Sequence, residues 1–114
     1  MAYSFHHTGD IVVASIDGFE RNADWQRLKN DLRKLLGNGN RKLMIDLGNV
    51  KEMPVSAFWS ILITVKKEYD SAGGKFVVAG QSGAALDDSM AALGLTKVFN
   101  VTATAEDAML FLSS

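Results

Sequence analysis

The sequence contains no cysteine, a single proline and only two histidines among its 114 residues. The absence of cysteine excludes a disulfide framework and thiolate metal sites, and it fits the reducing cytoplasm, where we expect the protein to act. An excess of charge of one sign is also lacking, because 12 basic and 13 acidic residues leave a net charge of −1. A balanced charge of this kind predicts neither nucleic-acid binding nor attraction to an anionic membrane surface.

Long hydrophobic runs are missing as well. The N-terminus has no basic segment followed by an apolar run, so we predict no signal peptide. The longest apolar stretches are too short to cross a bilayer, so direct membrane insertion is not expected. The length suits one hydrophobic core, and residues 1–114 are therefore predicted to form one domain.

Hydrophobic periodicity and turn residues predict an α/β fold with the element order β-β-α-β-α-β-α-β-α. The predicted strands are Tyr3 to His7, Ile11 to Ile16, Leu43 to Leu47, Phe76 to Ala79 and Val98 to Val101. The predicted helices run from Asn22 or Asp24 to Leu36, from near Ser56 to the stop at Ala72, from Ala84 to Leu93, and from the cap at Thr104 to Leu112. Strands that alternate with helices indicate a mostly parallel sheet of roughly four or five strands, with four helices and right-handed crossovers.

The first two strands are predicted to form an antiparallel hairpin at one edge of the sheet, because their connection is too short for a parallel crossover. In sheets of this type, binding sites lie in loops at the carboxyl ends of the parallel strands. Here those loops are Asp17 to Glu20, Leu47 to Val55 and Gly80 to Gly83.

Residues suited to catalysis or metal binding are scarce. His6 and His7 are neighbours on a strand, so they point to opposite faces and cannot share a metal ion. Asp17 and Asp46 fall near the ends of neighbouring strands and could hold Mg²⁺, as in a receiver-like phosphoaspartate domain, which we keep as the third alternative. The favoured interpretation is that Asp46 accepts hydrogen bonds from backbone donors of a nearby loop. We therefore predict no cofactor, no metal site and no enzymatic activity.

The stretch from Met53 to Trp59 carries the one strong local signal. Pro54 has no N–H and disfavours helix in the residue before it, so the second helix must begin after it, near Ser56. A serine at this point can cap the helix by accepting a hydrogen bond from an orphan amide. The same place also suits a phosphate, since amide donors and the helix dipole both favour an anion there. A phosphorylated Ser56 would be tolerated by the fold and would change the surface that a partner meets.

The whole chain resembles the STAS domain family of anti-sigma factor antagonists. The residues that carry the resemblance are Asp17 to Glu20, Leu43 to Val50, Gly73 to Val78, Leu93 to Phe99 and Ala105 to Ala108. Together, the Ile-Asp-Leu strand and the Gly-Leu-x-x-x-Phe element are fairly specific. The resemblance implies a non-enzymatic signalling protein of transcription regulation, whose partner is an anti-sigma factor or a serine kinase-type regulatory protein.

The family signature is Asp-Ser-Ser/Thr-Gly-Leu at the start of the second helix. On this chain it falls on Pro54, Val55, Ser56, Ala57 and Phe58, so the resemblance makes Ser56 the candidate phosphoacceptor. The hydroxyl is retained, whereas the acid is replaced by Pro54 and the glycine by Ala57.

Trp59 leaves two interpretations open: it packs beneath a neighbouring loop, or it stands beside Ser56 as an anchor for a partner or a dimer mate. The predicted partner-binding residues are Met53, Pro54, Val55, Ser56, Ala57, Trp59, Ser60 and Phe19. An alternative is a degenerate STAS subunit of a transporter or sensor complex that docks through Trp59 and Phe19 without phosphorylation. A homodimer is a further expectation.

Overall fold

The structure is a computed structural model of the chain, and it describes residues 3–18, 25–48, 50, 56–80, 98–102 and 104–113. At Ser56 it describes the backbone but not the side chain. The strands are β1 (Tyr3–Thr8), β2 (Ile11–Ile16), β3 (Lys42–Asp46), β4 (Lys75–Ala79) and β5 (Asn100–Thr102). The helices in this part of the chain are α1 (Trp25–Gly37), α2 (Ser56–Ser71) and α3 (Ala105–Ser113).

The strands form one five-stranded sheet in the order β1-β2-β3-β4-β5. β1 is antiparallel to β2, and every other neighbouring pair is parallel. The predicted α/β class, with an antiparallel hairpin at the edge of a mostly parallel sheet, is therefore confirmed. Three helices fall within the described residues, and the predicted helix from Ala84 to Leu93 lies outside them. The last strand begins at Asn100, two residues later than predicted.

The sheet has a buried layer on each face. α1 and α2 cover one face, where they pack against Val12, Ala14 and Ile16 of β2 and the corresponding residues of β3 and β4. α3 covers the other face through Ala108 and Leu112. Since the central strands are covered on both sides, their sequences read as continuous apolar runs rather than as alternating ones.

The end of α2 is fixed by backbone geometry at two glycines. Gly73 has a φ of +76°, a left-handed conformation that glycine adopts without steric cost. The next amide, of Gly74, donates to the carbonyl of Tyr69 over 2.8 Å. A Cβ at Gly74 would lie 2.7 Å from the carbonyl oxygen of Arg41, so this close approach requires glycine. These contacts turn the chain directly into β4.

Candidate functional site

The loop that leads from β3 toward α2 starts as a pinned turn at the carboxyl edge of the sheet. The amide of Leu47 donates to the carbonyl of Ala79 over 2.8 Å, and the amide of Val50 donates to the carbonyl of Leu47 over 3.1 Å. The side chains of Leu47 and Val50 are both buried. The chain therefore leaves β3 in a fixed direction, at the edge where such sheets place their sites.

Asp46 has the role that its position predicts. Its Oδ1 accepts a hydrogen bond from the amide of Gly48 over 2.8 Å. This interpretation of Asp46 is confirmed. Asp17 is exposed, and the part of the chain that the structure describes contains no group of three or more His, Asp or Glu side chains placed to hold a metal ion.

α2 begins at Ser56, as the sequence predicts. Its first turn contains no acidic side chain, so the positive end of the helix dipole meets no carboxylate from the helix itself. A helix N-terminus of this kind offers amide donors to an anion. Among the other predicted partner-binding residues, Met53, Pro54, Val55 and Phe19 lie outside the described residues, as does the side chain of Ser56.

Phe58 and Trp59 are both buried at the start of α2, at 0% and 2% exposure. The ring of Phe58 meets Trp25 of α1 edge-on, with centroids 5.2 Å apart. The ring of Trp59 meets Phe99, just before β5, with centroids 5.7 Å apart. The interpretation of Trp59 as an exposed docking anchor is therefore wrong, because the neighbours on this side of α2 enclose its ring.

The Trp59–Phe99 contact belongs to a longer run of aromatic rings through the core. Phe99 stacks on Phe76 of β4 at 5.9 Å, and Phe76 meets Tyr69 of α2 edge-on at 6.0 Å. Aromatic pairs at such separations stabilise a core beyond their buried area. The sequence signal for this run is Phe99, the phenylalanine of the Gly-Leu-x-x-x-Phe element, whose packing role cannot be read from the family resemblance alone.

Two polar atoms within this aromatic run have no hydrogen-bond partner among the described residues. Trp59 Nε1 and Tyr69 Oη are buried donors with no acceptor in the described structure. Burial raises the pKa of Tyr69 to about 12, against a smaller opposing effect of the Arg41 charge. Leaving a buried polar group unsatisfied costs about 1–3 kcal/mol. Packing of the rings, rather than hydrogen bonding by Trp59 Nε1 and Tyr69 Oη, therefore keeps these side chains in the core.

The surface beside Ser56 consists of small side chains and a groove. Ala57 and Ser60 are both exposed, one turn apart on the outer side of α2. A groove of about 450 Å³ separates this part of α2 from the start of α1. Its lining residues are Trp25, Gln26, Lys29, Ala57, Ser60, Ile61 and Thr64. The surface that the structure offers near the candidate phosphoacceptor is thus Ala57, Ser60 and the adjoining groove.

These features define an α/β domain in which the described residues after β3 form a fixed turn at the carboxyl edge of the sheet, and in which the first turn of α2 contains no acidic side chain. The STAS domain family model matches residues 3–108, and the chain belongs to this family. A comparison with curated proteins found no match. In the residues that the structure describes, each helix is too short or too polar to traverse a lipid bilayer.

Solved structures with a similar fold include anti-sigma factor antagonists. A candidate antagonist from Thermotoga maritima superposes with a TM-score of 0.84 at 16% identity, covering 98% of this chain and 95% of its own. An antagonist from Mycobacterium paratuberculosis gives 0.82 at 20% identity, with 98% and 93% covered. The phosphorylated form of the Bacillus cell fate determinant SpoIIAA gives 0.71 at 13% identity, with 95% and 96% covered. At these identities the likeness establishes the fold.

Proposed function

We propose that this chain is a non-enzymatic regulatory domain that binds an anti-sigma factor or a serine kinase-type regulatory protein through the start of α2. The observation that carries the proposal is the position of Ser56. It begins α2, and the resemblance of the sequence to the family signature makes it the candidate phosphoacceptor. The adjacent Ala57 and Ser60 are exposed, while Phe58 and Trp59 face inward. A partner would therefore contact small side chains and the groove toward α1.

We further propose that phosphorylation of Ser56 switches this binding. The first turn of α2 has no competing carboxylate, and a phosphate near it would interact favourably with the helix dipole. Similar solved structures include SpoIIAA in unphosphorylated and phosphorylated forms, which supports the capacity of the fold to carry such a group. The added charge would change the surface at Ala57 and Ser60 that the partner meets.

The binding test compares two arginine substitutions at exposed alanines in helix first turns. Ala57→Arg alters α2 beside Ser56, whereas Ala105→Arg makes the same change at the start of α3. Calorimetry would use an anti-sigma factor of the serine kinase type from the same genome. We expect Ala57→Arg to weaken binding at least about a hundredfold, as for a central interface position, and Ala105→Arg to leave it unchanged. Equal effects of both variants would contradict the proposal.

The switch is tested separately, by incubation with that kinase and ATP followed by mass spectrometry. We expect one added phosphate on the native chain, none on Ser56→Ala, and one on the matched variant Ser60→Ala. Intact binding with an unchanged mass would remove the switch and leave a constitutive binding domain. Absence of both binding and phosphorylation would instead favour the alternative of a STAS subunit in a transporter or sensor complex.

A further inference from the structure

β1 forms one edge of the described sheet, and its own residues lack the sequence features that usually protect such an edge. Among the described strands it pairs with β2 alone. Its sequence, Tyr-Ser-Phe-His-His-Thr, contains no proline, lysine or carboxylate. The register with β2 is continuous from Tyr3↔Ile16 to Thr8↔Ile11, so no bulge interrupts the strand. Natural proteins use proline, charged side chains and β-bulges to prevent edge-to-edge pairing, and β1 has none of these.

The hairpin turn determines which backbone groups of β1 face outward. A two-residue loop, Gly9-Asp10, joins the strands, and Gly9 has a φ of +62°. Such a loop is closed by a hydrogen-bonded pair, here Thr8 with Ile11, and bonded pairs alternate along an antiparallel ladder. Phe5 and His7 therefore direct their backbone N–H and C=O groups away from β2, toward the free edge.

A groove lies beside this edge, between β1 and α1. It has a volume of about 300 Å³ and is lined by Phe5, Asp31, Lys34, Leu35 and Asn38. Phe5 and Leu35 are partly buried against the core. The lining thus combines an apolar floor with one acidic and one basic side chain on α1.

We propose that β1 pairs antiparallel with β1 of a second copy of this chain, about a two-fold axis near Phe5. An axis perpendicular to the sheet keeps α1 of both copies on the same face and makes the two helices antiparallel. Asp31 of one copy then faces Lys34 of the other, in both directions, so the charges of the groove are self-complementary. This complementarity selects a second copy as the occupant of the edge.

The dimer goes beyond the proposed function and does not depend on it. The two-fold axis places both α2 helices on the same face of the continuous sheet. A dimer would therefore present two Ser56 surfaces together, and it would bind a dimeric partner with an avidity that a single copy lacks.

The test is sedimentation velocity of the full chain over a concentration series, and we expect a monomer–dimer equilibrium. His7→Pro removes an outward amide and should weaken dimerisation by about tenfold or more. The matched variant Val101→Lys, on the opposite edge strand β5, should not change it. Lys34→Asp should also weaken the dimer, and mixing it with Asp31→Lys should restore association.

Amide exchange of the native chain supplies a second readout that needs no substitution. The amides of Phe5 and His7 should become protected as concentration rises, while those of β5 should not. If the chain stays monomeric at concentrations up to about 1 mM, the proposal is overturned, because the dissociation constant of the dimer would then lie above that concentration. Dimerisation that Val101→Lys abolishes and His7→Pro leaves intact would overturn it as well.

Discussion

At the scale of single residues, two consecutive aromatic side chains at the start of α2 pack against different neighbours. Consecutive residues on a helix lie about 100° apart, so Phe58 and Trp59 cannot share one narrow face. Both are buried because this end of α2 has neighbours on two sides, Trp25 of α1 and Phe99 before β5. Among the described side chains at this end of α2, the ones exposed to a partner are consequently the small ones, Ala57 and Ser60.

Because Trp59 is buried, we predict that its removal lowers the stability of the fold. Trp59→Ala should reduce the free energy of unfolding by about 3–5 kcal/mol, as large-to-small changes of core aromatics do. Val101→Ala, at a side chain that is 40% exposed, should change it by less than about 0.5 kcal/mol. Urea unfolding followed by circular dichroism measures both. A near-neutral Trp59→Ala that loses partner binding would instead restore the docking interpretation.

The hydroxyl of Tyr69, which has no hydrogen-bond partner in the described part of the chain, allows a second prediction. Removal of this buried, unsatisfied group in Tyr69→Phe should leave stability unchanged or raise it by about 1 kcal/mol. A loss of more than about 1 kcal/mol in urea unfolding would mean that the hydroxyl has a hydrogen-bond partner in solution.

The same residue gives stability a dependence on high pH. The pKa of Tyr69 is about 12 in the folded chain against 10.0 for the free group. Between these values the unfolded chain releases the proton while the folded chain retains it, so stability should fall as pH rises from 10 toward 12. The fall should be smaller in Tyr69→Phe, which unfolding curves across this range would show. An identical fall in both chains would contradict the burial of this hydroxyl.

At the scale of elements, the two helix-end glycines Gly37 and Gly74 differ in what surrounds them. A Cβ at Gly74 would meet the Arg41 carbonyl oxygen at 2.7 Å, whereas at Gly37 it would meet nothing within 4 Å. Gly74→Ala should therefore destabilise the chain by about 1–3 kcal/mol, and Gly37→Ala should stabilise it by up to about 1 kcal/mol. Thermal unfolding of both variants is the measurement, and equal effects would contradict the close packing at Gly74.

The starts and ends of elements could be predicted from sequence wherever the determinant is local. Pro54 predicts where α2 begins, because it acts on the backbone beside it, and the short connection between the first two strands predicts the hairpin. The burial of Trp59 could not be derived in this way. It depends on Phe99, which is distant in sequence and is brought near only when β5 joins β4. Which side of a helix becomes buried depends on the neighbouring elements that the assembled sheet brings against it.

At the scale of the whole molecule, the sheet separates two surfaces of different character. One carries α1 and α2, with the start of α2 and the groove beside it. The other carries α3, where Leu110 is 70% exposed. The order of elements made this layered architecture predictable, whereas the choice between the two surfaces as partner site rests on the position of Ser56. We propose that the partner binds the α1/α2 surface.

The most direct measurement of that claim is an NMR titration of the isotope-labelled chain with an anti-sigma factor of the serine kinase type. We predict that the amide shifts change most at Ser56 to Ser60 and along the facing turn of α1, from Trp25 to Lys29. Amides of α3 around Leu110 should keep their positions. Changes centred on α3, with the start of α2 unaffected, would contradict the account.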